Sequence, residues 1–127
     1  MGLISRLFGD GERVQPVSVD DDNFEREVLG SDLPVLLDVW GPGCVPCQRL
    51  ESVIFDLAKR YRGRVKVAEM NAAAAGRTVG RLGVRGTPTV IYFSGGREVE
   101  RMVGFRGSLY HADFIDNELL AGEPETT

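Results

Sequence analysis

In 127 residues the sequence holds two cysteines, one histidine, one tryptophan and two lysines, and each scarcity excludes something. Both cysteines lie in one four-residue stretch, so they cannot form the disulfide framework of a small secreted scaffold. A chain of this length buries roughly two-thirds of its unfolded surface without such staples. With His111 as the lone histidine, zinc would need Cys44, Cys47, His111 and a carboxylate to converge, without the second paired motif that structural zinc sites carry. Lysine is confined to Lys59 and Lys66 among 15 basic residues, leaving few amines that could be tuned as a base. No stretch approaches the ~18 consecutive apolar residues of a membrane span. A formal net charge of −4 gives no long-range attraction to nucleic acid or anionic lipid.

What is present is 43% hydrophobic and 27% charged residues, the balance of a soluble globular domain. The amino-terminal apolar residues Leu3, Ile4, Leu7 and Phe8 are interrupted by Ser5 and Arg6 and lack a small-residue cleavage site, unlike a secretory leader. Arg6 also stands where a myristoylation motif wants Ser or Thr. Residues 1–15 are read as a tail, with a docking amphipathic face as the alternative. The domain is expected over residues 16–121, and residues 122–127 form a polar second tail.

Val17 and Val19 alternate with Ser18 as a short strand would. Asp20 to Asp22 supply a cap and favourable acid for a helix with Phe24, Val28 and Leu29 on one face, ending at Gly30. Pro34 opens Val35-Leu36-Leu37-Asp38-Val39-Trp40, the continuous apolar run of a strand buried on both faces. Asp38 is the anomaly there: it is either a strand-end carboxylate bonded to nearby backbone or a buried proton carrier. After Gly41-Pro42-Gly43 come Cys44-Val45-Pro46-Cys47 and a helix marked by Leu50, Val53, Ile54, Leu57 and Tyr61, ending at Gly63. Two thiols separated by two residues can close a ring with each other, and a helix start favours a thiolate at the first. That is redox chemistry.

Lys59, Arg60, Arg62, Arg64 and Lys66 cluster at the end of this helix. A nucleic-acid patch is the sharper reading, and complementing the helix dipole is the plainer and preferred one. Residues 65–70 read as a strand, Asn71 begins a turn, and residues 72–82 are expected to be helical in part, with an alanine run as filler. Pro88 stands where a strand begins, followed by Val90 to Phe93, a Ser94-Gly95-Gly96 turn and a hairpin partner from Glu98 to Val103. Leu109, Phe114, Ile115, Leu119 and Leu120 mark a final amphipathic helix. This order predicts an α/β fold in which crossover helices join parallel strands and the glycine turn adds an antiparallel edge.

Leu37-Asp38-Val39-Trp40 running into Cys44-Val45-Pro46-Cys47, then Val84-Arg85-Gly86-Thr87-Pro88-Thr89-Val90, Gly95-Gly96 and Val103-Gly104, resemble the thioredoxin family from about Val17 to Leu120. The resemblance implies a thioredoxin-like fold: a central mixed, mostly parallel sheet of four to five strands with helices on both faces. It implies a thiol-disulfide oxidoreductase that needs no cofactor beyond its own Cys44–Cys47 pair. Cys44 would be the attacking thiolate, Cys47 the resolving thiol and Asp38 the carboxylate beneath them that moves a proton. Thr87-Pro88 would be a cis-proline loop whose Thr87 backbone pairs with an extended substrate. Trp40, Gly43, Val45, Pro46, Pro88 and Gly104 would form the docking surface.

The resemblance further implies protein disulfides as substrates, a thioredoxin reductase-type electron donor, a monomer and a cytoplasmic place in cell redox homeostasis and electron transport. Spacing agrees with this chemistry: a resolving thiol must lie within about 6 Å, Cα to Cα, which a helical i, i+3 spacing supplies. The sequence also departs from the family. Gly43 replaces an exposed tryptophan, Val45 a glycine, Gln48 a lysine, and Ala72-Ala73 stand around a usual aspartate. Glu69 stands where a lysine is usual near the buried aspartate. Either Glu69 lies beside Asp38 and raises a carboxyl pKa, or it points to solvent. The altered docking surface makes a non-catalytic adaptor, binding a partner through the cis-proline groove, the alternative function.

Overall fold

The computed structural model describes residues 14–122, so the amino-terminal apolar run lies outside the described residues. Strands β1 (Val17–Val19), β2 (Val35–Trp40), β3 (Lys66–Asn71), β4 (Thr89–Ser94) and β5 (Arg97–Val103) form one sheet in the order β1-β3-β2-β4-β5. The helices are α1 (Glu25–Leu29, a π-helical turn), α2 (Val45–Arg60), α3 (Gly76–Leu82) and α4 (Ser108–Phe114), the last continued by a π-helical turn over Ile115–Leu119. This is the expected α/β architecture.

Alternation along β2 sorts its side chains between two cores. Val35, Leu37 and Val39 face the side closed by Phe24, Val28, Val79 and Leu82 of α1 and α3 and their flanks. Leu36 packs with Leu50, Ile54 and Leu57 of α2, and with Ile115 and Leu120 beyond α4. Asp38 belongs to the Leu36 row, so its carboxylate lies under α2, and this register places the site.

Two details differ from the sequence reading. Parallel pairing holds for β1–β3 and β3–β2, but antiparallel pairing is not confined to the edge: β4 runs against both β2 and β5. A crossover returning over the far face would have made β4 parallel. The short α3 instead leaves the chain to re-enter reversed beside β2. The alanine run is also not helical: the Asn71 side chain accepts from the N–H of Ala73 at 2.9 Å, and its carbonyl accepts from Ala74 at 3.0 Å. Such a side-chain turn competes with helix formation, which therefore begins only at Gly76.

The basic cluster is largely spent on packing. Lys66 reaches the carboxylate of Glu27 at 2.9 Å, and the guanidinium groups of Arg60 and Arg64 lie 5.7 and 5.3 Å from the centre of the Tyr61 ring. Lone His111 is fully buried, its Nδ1 lying 2.6 Å from the Tyr92 hydroxyl and its Nε2 without a partner. It is thus core, and among the described residues no group of three or more His, Cys, Asp or Glu side chains is placed to hold a metal ion. Nor, among those residues, is any helix long and apolar enough to cross a membrane.

Candidate active site

Helix α2 begins at the reactive stretch because Cys44 has extended backbone (φ −92°, ψ 106°) and caps it, its sulfur accepting from the N–H of Cys47 at 3.2 Å. Pro46 sits in the first turn, where its missing N–H would have had no intrahelical partner. One helical turn then separates the two cysteines, whose Cα atoms are 5.2 Å apart and whose sulfurs are joined as a disulfide. Cys44 is half-buried, whereas Cys47 is buried at 6% exposure. This asymmetry leaves the first sulfur for an external partner and hides the second.

Two approaches frame the pair. The Thr87–Pro88 bond is cis, and the Thr87 carbonyl oxygen lies 3.6 Å from the Cys44 sulfur. Gly104 donates its N–H to the Pro88 carbonyl at 2.8 Å, holding the end of β5 beside this loop. Gly41 packs closely against this loop, since a Cβ there would meet the Thr87 hydroxyl oxygen at 3.3 Å and Thr87 would have to shift slightly. Gly43 is required by conformation: its φ is +70°, with nothing within 4 Å of an added Cβ. Val45 is 62% exposed, so the surface beside Cys44 is apolar.

Behind Cys47 lies a cavity of about 330 Å³ whose walls include Asp38, Trp40, Gln48, Glu51, Phe55 and Glu69. Asp38 is buried, with Oδ1 unpartnered. Burial, first, and then the negative charges of Glu69 and Glu51 push its pKa up to about 7. Glu69 is its register neighbour on β3. It does not point away to solvent; it is half-buried and accepts a hydrogen bond from the Trp40 indole at 2.5 Å.

The structure therefore brings Asp38, Trp40, Gly43, Cys47 and Glu69 around the cavity. Thr87, Pro88 and Gly104 meet on the Cys44 side. Sequence reasoning missed Glu51, although it is one helical turn beyond Cys47 on the same face of α2. It also missed the Trp40–Glu69 bond, which only the strand register reveals.

A dithiol closing at a helix start over a buried carboxylate, with a cis-proline opposite, is machinery for disulfide exchange. The family model for thioredoxin matches residues 15–117. The chain belongs to the thioredoxin family. It is 40% identical over 86 residues to thioredoxin 1 of Nostoc sp., covering 68% of this chain and 80% of that protein. Identity is 35% over 102 residues to thioredoxin of Rickettsia conorii, covering 80% and 97%. With a chloroplastic M-type thioredoxin of Pisum sativum it is 36% over 86 residues, covering 68% and 50%. This thioredoxin-family chain is a thiol-disulfide oxidoreductase, and its active group is the Cys44–Cys47 disulfide itself.

Proposed function

We propose that Cys44 is the attacking thiolate, Cys47 the resolving thiol and Asp38 the group that takes the proton of Cys47. The observation that supports this most is the asymmetry of the pair: Cys44 faces the Thr87 carbonyl at the surface, while Cys47 is buried above the Asp38 cavity. In the forward direction the Cys44 thiolate displaces one sulfur of a substrate disulfide, which leaves as a thiolate, and a mixed disulfide forms. Cys47 then gives its proton to the Asp38 carboxylate and attacks the Cys44 sulfur, closing the ring and releasing the second substrate thiolate. Two electrons pass to the substrate, and a reductase-type donor returns them.

The substrate lies extended against the Thr87 backbone, between Pro88 and Gly104 on one side and Trp40, Gly43, Val45 and Pro46 on the other. The fold unit is residues 16–121, acting as a monomer in the cytoplasm as part of cell redox homeostasis.

Trapping tests the assignment of roles. With Cys47→Ser, covalent mixed disulfides accumulate on Cys44 when the protein meets disulfide-containing substrates, and a reducing agent releases them. Cys44→Ser forms none. Equal trapping by the two variants would remove the assignment of separate roles, and no trapping by either, with no disulfide reduction by the wild-type protein, would leave a partner-binding adaptor in its place.

Glu69 is proposed to set the pH at which Asp38 accepts that proton. Because Asp38 titrates near 7, release of the second substrate thiol is expected to rise with pH around neutrality. Glu69→Gln keeps an acceptor for the Trp40 indole and removes the charge, so the single-turnover profile should move to lower pH by on the order of half a unit to one unit. Glu69→Lys, which brings in the opposite charge, should move it further. Unchanged profiles for both variants would sink the proposal.

A further inference from the structure

The ion pairs among the described residues engage Arg26 and Lys66 with Glu27, Arg77 with Asp21, Arg81 with Glu25 and Arg101 with Glu98. None of these pairs uses Arg49, Arg85 or Arg106, and all three belong to the segments that surround Cys44.

A circuit of contacts and chain neighbours joins Arg49 to Cys44, and Arg85 and Arg106 flank it in sequence. Cys44 touches Thr87, and Pro88 accepts from Gly104. Phe105 follows Gly104 and carries the Arg49 guanidinium 5.0 Å from its ring centre. Arg49 stands one helical turn beyond the exposed Val45, the neighbour of Cys44. Arg106 continues the rim, its guanidinium 5.2 Å from the Tyr110 ring centre and its Nη1 donating to the Phe105 carbonyl at 3.2 Å. Arg85 is exposed two residues before Thr87.

Stacking on an aromatic face orients a guanidinium without consuming a carboxylate, so its positive charge stays uncompensated. The carboxylates of the site, Asp38, Glu51 and Glu69, all line the cavity behind Cys47. In a chain of net charge −4, three arginines thus stand in the segments next to the nucleophile, while these three carboxylates line the cavity behind it.

We propose that Arg49 and Arg106, with Arg85, form a cationic rim around Cys44 that selects disulfides lying in acidic segments of protein substrates. The proposal rests on Cys44 being the attacking sulfur. Rim charges act chiefly on the encounter rate and weaken as salt screens them.

The test compares two synthetic peptides with the same intramolecular disulfide, one flanked by glutamates and one by lysines, with hydroxyethyl disulfide as an uncharged substrate. The readout is the ratio of kcat/KM for the two peptides. The wild-type protein is expected to favour the acidic peptide about tenfold at low salt, and the ratio should shrink toward one at high salt. The double charge reversal R49E/R106E should invert the ratio. R49K/R106K, which keeps charge and loses stacking, should keep the acidic preference.

A wild-type ratio near one, or a preference that survives charge reversal, overturns the rim. If the wild-type protein reduces hydroxyethyl disulfide while showing no preference, only the rim fails. If Cys44 takes part in reducing none of the three substrates, the reading beneath it fails.

Discussion

Replacing Asp38 by asparagine is expected to add about 4 kcal/mol more stability to the oxidised protein at pH 8 than at pH 4. In the unfolded chain this carboxyl titrates near the ordinary ~3.9 for aspartate, and in the fold near 7. Between those limits the folded state holds the proton more tightly. Stability is therefore greatest below the unfolded pKa and is lost as pH rises through the folded one. Above neutrality the protein carries a buried carboxylate with one oxygen unpartnered. The asparagine side chain has no charge to bury, so this loss disappears, whatever constant offset its amide introduces. Urea unfolding of both proteins across that pH range checks it, and parallel stability curves would show that Asp38 is not held protonated.

His111 should give the opposite slope. Burial first, and then the positive charge of Arg106, lower its pKa to about 4, against the ordinary ~6.5 of an unfolded histidine. The unfolded chain binds the proton more readily, so stability present above the unfolded pKa is lost as pH falls toward 4. Relative to wild type, His111→Leu is expected to gain about 3 kcal/mol between pH 7 and pH 4. At neutral pH the variant should start lower by about 1–3 kcal/mol, because the Tyr92 hydroxyl loses its buried partner. Thermal or urea unfolding at both pH values separates these two effects. In the wild-type chain the Asp38 and His111 slopes oppose each other between about pH 4 and 6.5, and each replacement unmasks the other. An acid dependence unchanged in the His111 variant would remove this account.

The reactive residues were legible because their chemistry is local. A carboxylate in an unbroken apolar strand, two thiols one helical turn apart and a proline at a strand start each announce a cost or a function within a few residues. What was not legible depends on distant pairing. Glu69 faces Asp38 only because β3 lies between β1 and β2 in register with both, which no local pattern states. The reversed course of β4 depends on how a short α3 lets the chain turn back. His111 reads as the lone histidine without a metal partner set, and it becomes core only when Tyr92 arrives from β4. Glu51 is different: its spacing from Cys47 was available, but an acidic residue on an amphipathic helix usually faces water, and its closeness to Asp38 needs the sheet behind it.

The hydrogen bond between Trp40 and Glu69 bears on how the molecule can be watched. The chain has a single tryptophan, and its indole is fixed to a carboxylate at the wall of the cavity that also holds Cys47 and Asp38. Its indole emission therefore comes from one place only, beside the sulfur that changes bonding in every turnover. That emission is expected to respond to reduction of the disulfide and to titration of the cavity carboxyls, with no second indole to dilute the signal.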